Sequence, residues 1–284
     1  MRRYMLLALV ATFLVVTLPG KAEESVLEPD AATQVVPSST PAWDTARTWI
    51  TAFMIKNAPP GRPTYFEQAR ESKDEALERY NEIADAIIEA VYDPNQKAMF
   101  SGPTGRSRTA SLLLGIMLWE TGFRRDVDYG LGKYGRGDHG KSWCLMQIQI
   151  GDGKTQSWNT KVGRAAKPGD DPDDIQVGHS GPELISNRSL CIAEGMRIVR
   201  TSFGSCRTQP LEYRLSAYAS GSCDKGQEKS RQRVGTGMSW FQNSKNLRTF
   251  KDADLVQEVT EFQKHKAQQD QENVAQVQTH PQQG

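Results

Sequence analysis

Glu120 is the residue around which a chemistry can be built in this chain. It closes the apolar string Leu112–Phe123 and shares a helical face with Leu113, Ile116 and Met117, at offsets of seven, four and three. A carboxyl packed into such a face is costly as an anion, so burial raises its pKa and keeps it protonated, as a general acid requires. Proton donation of that kind speeds bond cleavage about 100- to 10,000-fold. Taken alone, a Glu at a helix end with no role is the commoner case, and only companion residues change that. Three aspartates follow in a Gly-rich stretch, Asp126, Asp128 and Asp138. A solvated loop is the ordinary place for each, and a second carboxylate beside Glu120 is the alternative. His139 and His179 have no partner at ligand spacing and read as surface histidines. Cys144, Cys191, Cys206 and Cys223 are nowhere two to four residues apart, so they fit no structural zinc site. An even set of cysteines suits an oxidising compartment and two disulfides, with three pairings open.

Two further strings supply the companions. Ser142–Ile148 reads Ser-Trp-Cys-Leu-Met-Gln-Ile, and Ser216–Gly221 reads Ser-Ala-Tyr-Ala-Ser-Gly. In this order, over residues 105–235, the three strings resemble those of the lytic transglycosylases of the soluble-lytic-transglycosylase type. That family has the lysozyme-like fold and cleaves the MurNAc-GlcNAc bond of peptidoglycan. The resemblance implies Glu120 as acid and base, with Ser142, Leu145, Met146 and Gln147 lining the cleft and Tyr218 and Gly221 closing it. It gives Gln147 a hydrogen bond to sugar amides or hydroxyls, and sets the Tyr218 hydroxyl near the Glu120 carboxyl. It also implies that one carboxylate suffices, leaving a 1,6-anhydro product, with no metal or cofactor. Hydrolysis by a muramidase of the same fold, with an Asp from 126 to 138, is the enzyme alternative. A glycan-binding scaffold without turnover is the other.

Several positions depart from the family pattern. Thr121 replaces Ser and keeps a hydroxyl, Ala219 replaces Asn, Cys144 stands where Gly is usual, and Cys191 replaces the Asn of an Asn-Ile pair. Two departures that are both Cys suggest a Cys144–Cys191 bridge, which leaves Cys206 with Cys223. A helical hairpin turning near Cys206 would instead set Cys191 opposite Cys223. Arg231 and Arg233 follow the third string and face either peptide carboxylates or solvent. Trp143 and Trp158 could stack on sugars, with hairpin packing the simpler role for Trp143.

The elements that must position these residues can be read from periodicity. Trp43 to Ala58 carries apolar residues at helical spacing and stops at Pro59-Pro60-Gly61. Thr64 and Glu67 form a capping-box pattern before a long helix whose stripe runs from Phe66 to Val91, closed by Asp93-Pro94. Gly102 to Gly105 precedes the Glu120 helix, and residues 124–141 read as a long loop. Trp143 to Ile150 suggests a short strand or hairpin arm. Residues 151–181 read as a second loop, Pro182 opens a helix to about Phe203, and Pro210 opens another to Tyr218. Leu255, Val256, Val259 and Phe262 make a weak amphipathic helix, followed by Gln-rich polar sequence read as disordered.

Length and composition set the frame. With 284 residues, 37% apolar and 24% charged, the chain has core enough for an ordinary globular protein. A net charge of +1 excludes the strongly basic signature of a dedicated nucleic-acid binder. Arg2, Arg3, the apolar run to Leu18 and Gly20-Lys21-Ala22 read as a signal peptide, 1–22, cleaved before Glu23. No later segment reaches the roughly 18 apolar residues of a membrane span. The expected organisation is a flexible leader 23–42 and an N-terminal helical segment 43–100, then a lysozyme-like domain 101–246 and a polar tail 247–284. The fold class is mainly α with a small β-hairpin region beside the cleft. The expected partner is peptidoglycan, with the protein a periplasmic or secreted monomer.

Overall fold

The structure, a computed structural model, describes residues 41–244 and 250–279, with side chains from 42 to 272. The expected signal peptide and most of the leader lie outside the described residues. Among the described residues the fold is mainly α-helical with two small antiparallel sheets. No helix there is long and apolar enough to cross a membrane.

Helix α1, Pro41–Asn57, buries Ala46, Trp49, Ile50, Phe53 and Met54 along one stripe. The long second helix starts later than its stripe suggested. Thr64 accepts a bond from the Phe66 amide and supports only a 3-10 turn, Glu67–Ala69. The operative capping box is Ser72 with Glu75, and α2 runs Lys73–Tyr92. Both pairs satisfy the same spacing, but only Ser72 directly precedes the unbroken series from Ala76 to Val91. Asp93 then turns extended ahead of Pro94.

Helix α3, Gly105–Thr121, is apolar almost all round, with Leu112, Leu113, Leu114, Ile116 and Met117 fully buried, and forms the axis of the core. Its first turn is capped from far along the chain. Asp252 accepts bonds from the amides of Arg106 at 2.7 Å and Ser107 at 3.2 Å. Its last turn ends at Gly122, left-handed at φ 59°, whose amide bonds the Leu118 carbonyl and leaves Glu120 at the rim.

Residues 124–141 are not one loop but contain two single turns, α4 (Arg125–Asp128) and the distorted α5 (Gly137–Gly140). The hairpin arm forms as expected, from β1 (Ser142–Trp143) and β2 (Ile148–Gln149). Residues 151–181, read as a loop, fold into a three-stranded sheet of order β4-β3-β5. Its strands are β3 (Trp158–Asn159), β4 (Arg164–Ala165) and β5 (Ile175–Gln176). Two-residue strands are too short to leave an alternating pattern.

The helix expected from Pro182 to Phe203 is two, α6 (Gly181–Ser186) and α7 (Arg188–Ser205). Asn187, extended at φ −135°, ends the first and caps the second through the Leu190 amide. From Pro210 comes a 3-10 turn, Leu211–Tyr213, and then the short α8, Ser216–Ser220. Helix α9 is Gln227–Asn243, and α10 is Asp252–Thr279. The Gln-rich segment expected to be disordered is thus helical to Thr279, because Gln, Glu, Ala and Lys all favour helix. Leu255 and Val259 anchor α10 in the core, while residues 264–272 are exposed.

Candidate active site

Helices α3 and α9 meet at a glycine crossing, and that crossing builds the site. A Cβ on Gly115 would stand 2.4 Å from the Arg233 carbonyl oxygen, and one on Gly237 would stand 2.3 Å from the Ser111 carbonyl. Only glycine permits so close a backbone approach. It carries Arg233 of α9 to the C-terminal turn of α3, where Nε and Nη2 both sit 2.8 Å from Glu120 Oε1. Nη1 donates to the Lys229 carbonyl at 2.9 Å. Arg233, open between peptide carboxylates and solvent in the sequence, is therefore a buried partner of Glu120, whereas Arg231 pairs with Glu228 at the surface. Gly237, inside α9, was the legible signal, since an interior helix glycine costs stability unless close packing uses it.

Opposing forces act on the Glu120 carboxyl. Burial, the largest, pushes its pKa up; Arg233 pulls it down by charge and hydrogen bond, Lys229 adds to that pull, and Asp138 pushes up again. The net direction is up, toward a protonated acid.

The second string folds back on itself. Ser142 is buried and donates to Asp138 Oδ2 at 2.6 Å. Met146 is buried against Gly195, where a Cβ would fall 2.5 Å from Met146 Cγ. Gln147 donates from Nε2 to the Cys144 carbonyl at 3.1 Å, and its Oε1 presses on Gly137. In this arrangement Ser142 and Met146 hold the arm, and Gln147 closes its turn. Trp143 packs on Gly181 and donates to the Gly151 carbonyl, and Trp158 lies under Arg197.

Tyr218 ties the third string to the second, donating its hydroxyl to the Met146 carbonyl. Burial pushes its phenol pKa up, with the nearby Glu120 charge adding to the shift. Its hydroxyl is thus spent on the arm while the ring stays within electrostatic reach of Glu120. The bridges are Cys144–Cys191 and Cys206–Cys223, the pairing that the two cysteine departures suggested. The first pins the arm to α7, and the second pins the end of α7 to the segment after α8. Such bridges fit an oxidising compartment.

The aspartates separate clearly. Asp126 is buried against Arg124 at 2.6 Å, and Asp128 against Arg188 at 2.9 Å. Asp138 is exposed and is the one of the three that acts on Glu120. Its neighbour His139 is exposed, and His179 stands 3.4 Å from Gln176 Nε2. Backbone strain gathers here too. The non-glycine residues at positive φ among the described residues are Phe123, Asp138, His139, Cys144 and Gln147, all from the end of α3 through the turn of the arm. Strain of this kind persists where the surrounding structure over-determines it.

No family model matches the chain, and neither a curated protein nor a solved structure does.

Proposed function

We propose that the chain is a peptidoglycan lytic transglycosylase with a lysozyme-like catalytic domain, exported to the periplasm or beyond the cell. What supports this reading is a carboxyl whose pKa burial raises, with Tyr218 of the third string in electrostatic reach of it and bonded to the Met146 carbonyl of the second. Glu120 donates its proton to the glycosidic oxygen as the C1–O bond of the muramoyl residue breaks. The carboxylate then takes the proton of the C6 hydroxyl as that oxygen closes on C1. The products are a free GlcNAc hydroxyl and a 1,6-anhydro end; Glu120 is protonated again and no water is consumed.

Asp138 gives a second reading some footing, since it is the exposed carboxylate coupled to Glu120. As a water-positioning base it would make the enzyme a muramidase, and its bond from Ser142 would orient it.

The test is digestion of purified sacculi by the protein and by Glu120→Gln. The amide is nearly isosteric, so the variant folds with an unchanged circular dichroism spectrum and releases no muropeptide. Cleavage by the variant at more than a small fraction of the parent rate removes Glu120 from the mechanism.

A further inference from the structure

We propose that Arg233 is the positioning residue of Glu120: it holds one carboxyl oxygen, Oε1, so that the other, Oε2, alone carries the catalytic proton. The inference rests on the transglycosylase reading and extends it to a residue outside the three strings. An arginine opposite a carboxylate commonly engages both oxygens, one N–H to each. Here Nε and Nη2 both converge on Oε1 at 2.8 Å, and among the described residues no group donates to Oε2. An oxygen that already accepts the Nε–H and has a second guanidinium nitrogen 2.8 Å away is a poor place for a proton, so the proton belongs to Oε2.

The guanidinium cannot drift from this task. Its third nitrogen is tied to the Lys229 carbonyl, its side chain is 9% exposed, and its helix is locked to α3 by the Gly115 and Gly237 crossing. A planar fork fixed at all three nitrogens is pre-organised in a way that a lysine ammonium is not.

The surrounding charges complete the device. Arg233 and Lys229 face the carboxyl from α9, Asp138 from the segment before the arm, and Tyr218 from α8. Burial and Asp138 push the Glu120 pKa up, while the two cations pull it down and stabilise the carboxylate. One carboxyl that must first give and then take a proton needs both.

The experiment uses the full chain and three variants, Arg233→Met, Arg233→Lys and Glu120→Gln. It measures kcat and KM on purified glycan strands across pH, and titrates the carbon-13-labelled Glu carboxyls by NMR, the Glu120 signal being the one lost in Glu120→Gln. In Arg233→Met the Glu120 titration and the descending limb of activity move to higher pH, and kcat falls about 100-fold with KM little changed. In Arg233→Lys the titration stays near that of the parent while kcat still falls more than about tenfold, because charge survives and the fork does not. Parental kcat in Arg233→Lys overturns the positioning role, and it decides the matter should Arg233→Met not fold. If the parent itself cleaves nothing, the transglycosylase reading falls and the titration alone judges the anchor. An unshifted Glu120 in Arg233→Met then overturns it.

Discussion

Two glycines two residues apart in α9 should respond to alanine in opposite directions. Helix propensity alone favours alanine over an interior glycine by about 1 kcal/mol at either place. At Gly235, which is exposed, an added Cβ meets nothing within 4 Å, so the propensity gain stands unopposed. At Gly237 the same Cβ would lie 2.3 Å from the Ser111 carbonyl oxygen and 2.9 Å from Leu112 Cα. Both are backbone atoms of a buried helix and cannot swing aside as a side chain would. Overpacking of this kind costs about 1–3 kcal/mol, and the upper end applies where backbone must move. The net expectation for Gly237→Ala is a loss of about 2 kcal/mol, against a gain of up to about 1 kcal/mol for Gly235→Ala. For a unit of this size that corresponds to a Tm lowered by about 4–8 °C in one case and raised by about 2–4 °C in the other. Calorimetry of the two variants beside the parent reads the difference, and glycan cleavage should fall in Gly237→Ala alone, since the crossing sets Arg233 against Glu120. Equal and positive Tm shifts in both variants would refute the close crossing of α3 and α9.

With both bridges formed, the unreduced protein should show no reactive thiol under denaturing conditions, and four after reduction. In the chain-entropy model, losing the 17-residue bridge costs about 3 kcal/mol and losing the 47-residue bridge about 4 kcal/mol, so reducing agent should lower the Tm markedly. Deleting residues 265–284 should move the Tm by no more than about 2 °C, because the side chains described there are exposed. Ending the chain at residue 249 removes Leu255, Val259 and the Asp252 cap, and should cost about 10 °C or more. Activity should be full at low pH and fall as pH climbs through the raised Glu120 pKa, with a midpoint above the ordinary carboxyl value of about 4.3. Stability should carry the same sign at Glu89, whose pKa burial also raises. The native state binds that proton more tightly than the unfolded chain, so this contribution is present below the ordinary value and is lost as pH rises through the raised one. Glu89→Gln should flatten that part of a Tm-against-pH curve.

The sequence revealed what local periodicity encodes. Stripes of apolar residues located α1, α3 and most of α2, and the Trp143–Ile150 alternation located the hairpin. Glu120 was legible as an acid on an apolar helix face, with a raised pKa, because its apolar neighbours precede it at three, four and seven residues. What stayed hidden depends on contacts across long separations. The cap that Asp252 places on α3 spans 145 residues to Ser107, and the Arg233–Glu120 pair spans 113. The sheet of residues 158–176 has strands too short to alternate. Asn187 looked like a helix interior because its capping role needs an extended backbone that no spacing rule announces. Thr64 with Glu67 mimicked a capping box that Ser72 with Glu75 performs, so the pattern identified the device and misplaced it by eight residues. The polar face of α10 suggested disorder, although its residues are individually good helix formers.

The most direct test of the central claim is mass spectrometry of the ends released when purified sacculi are digested in oxygen-18 water, with the parent and Asp138→Asn side by side. The account predicts unlabelled 1,6-anhydro ends from both proteins, at rates that differ only modestly. One labelled reducing end per cut, lost about 100-fold in Asp138→Asn, would contradict it and make the protein a muramidase. Absence of any cleavage would contradict it as well.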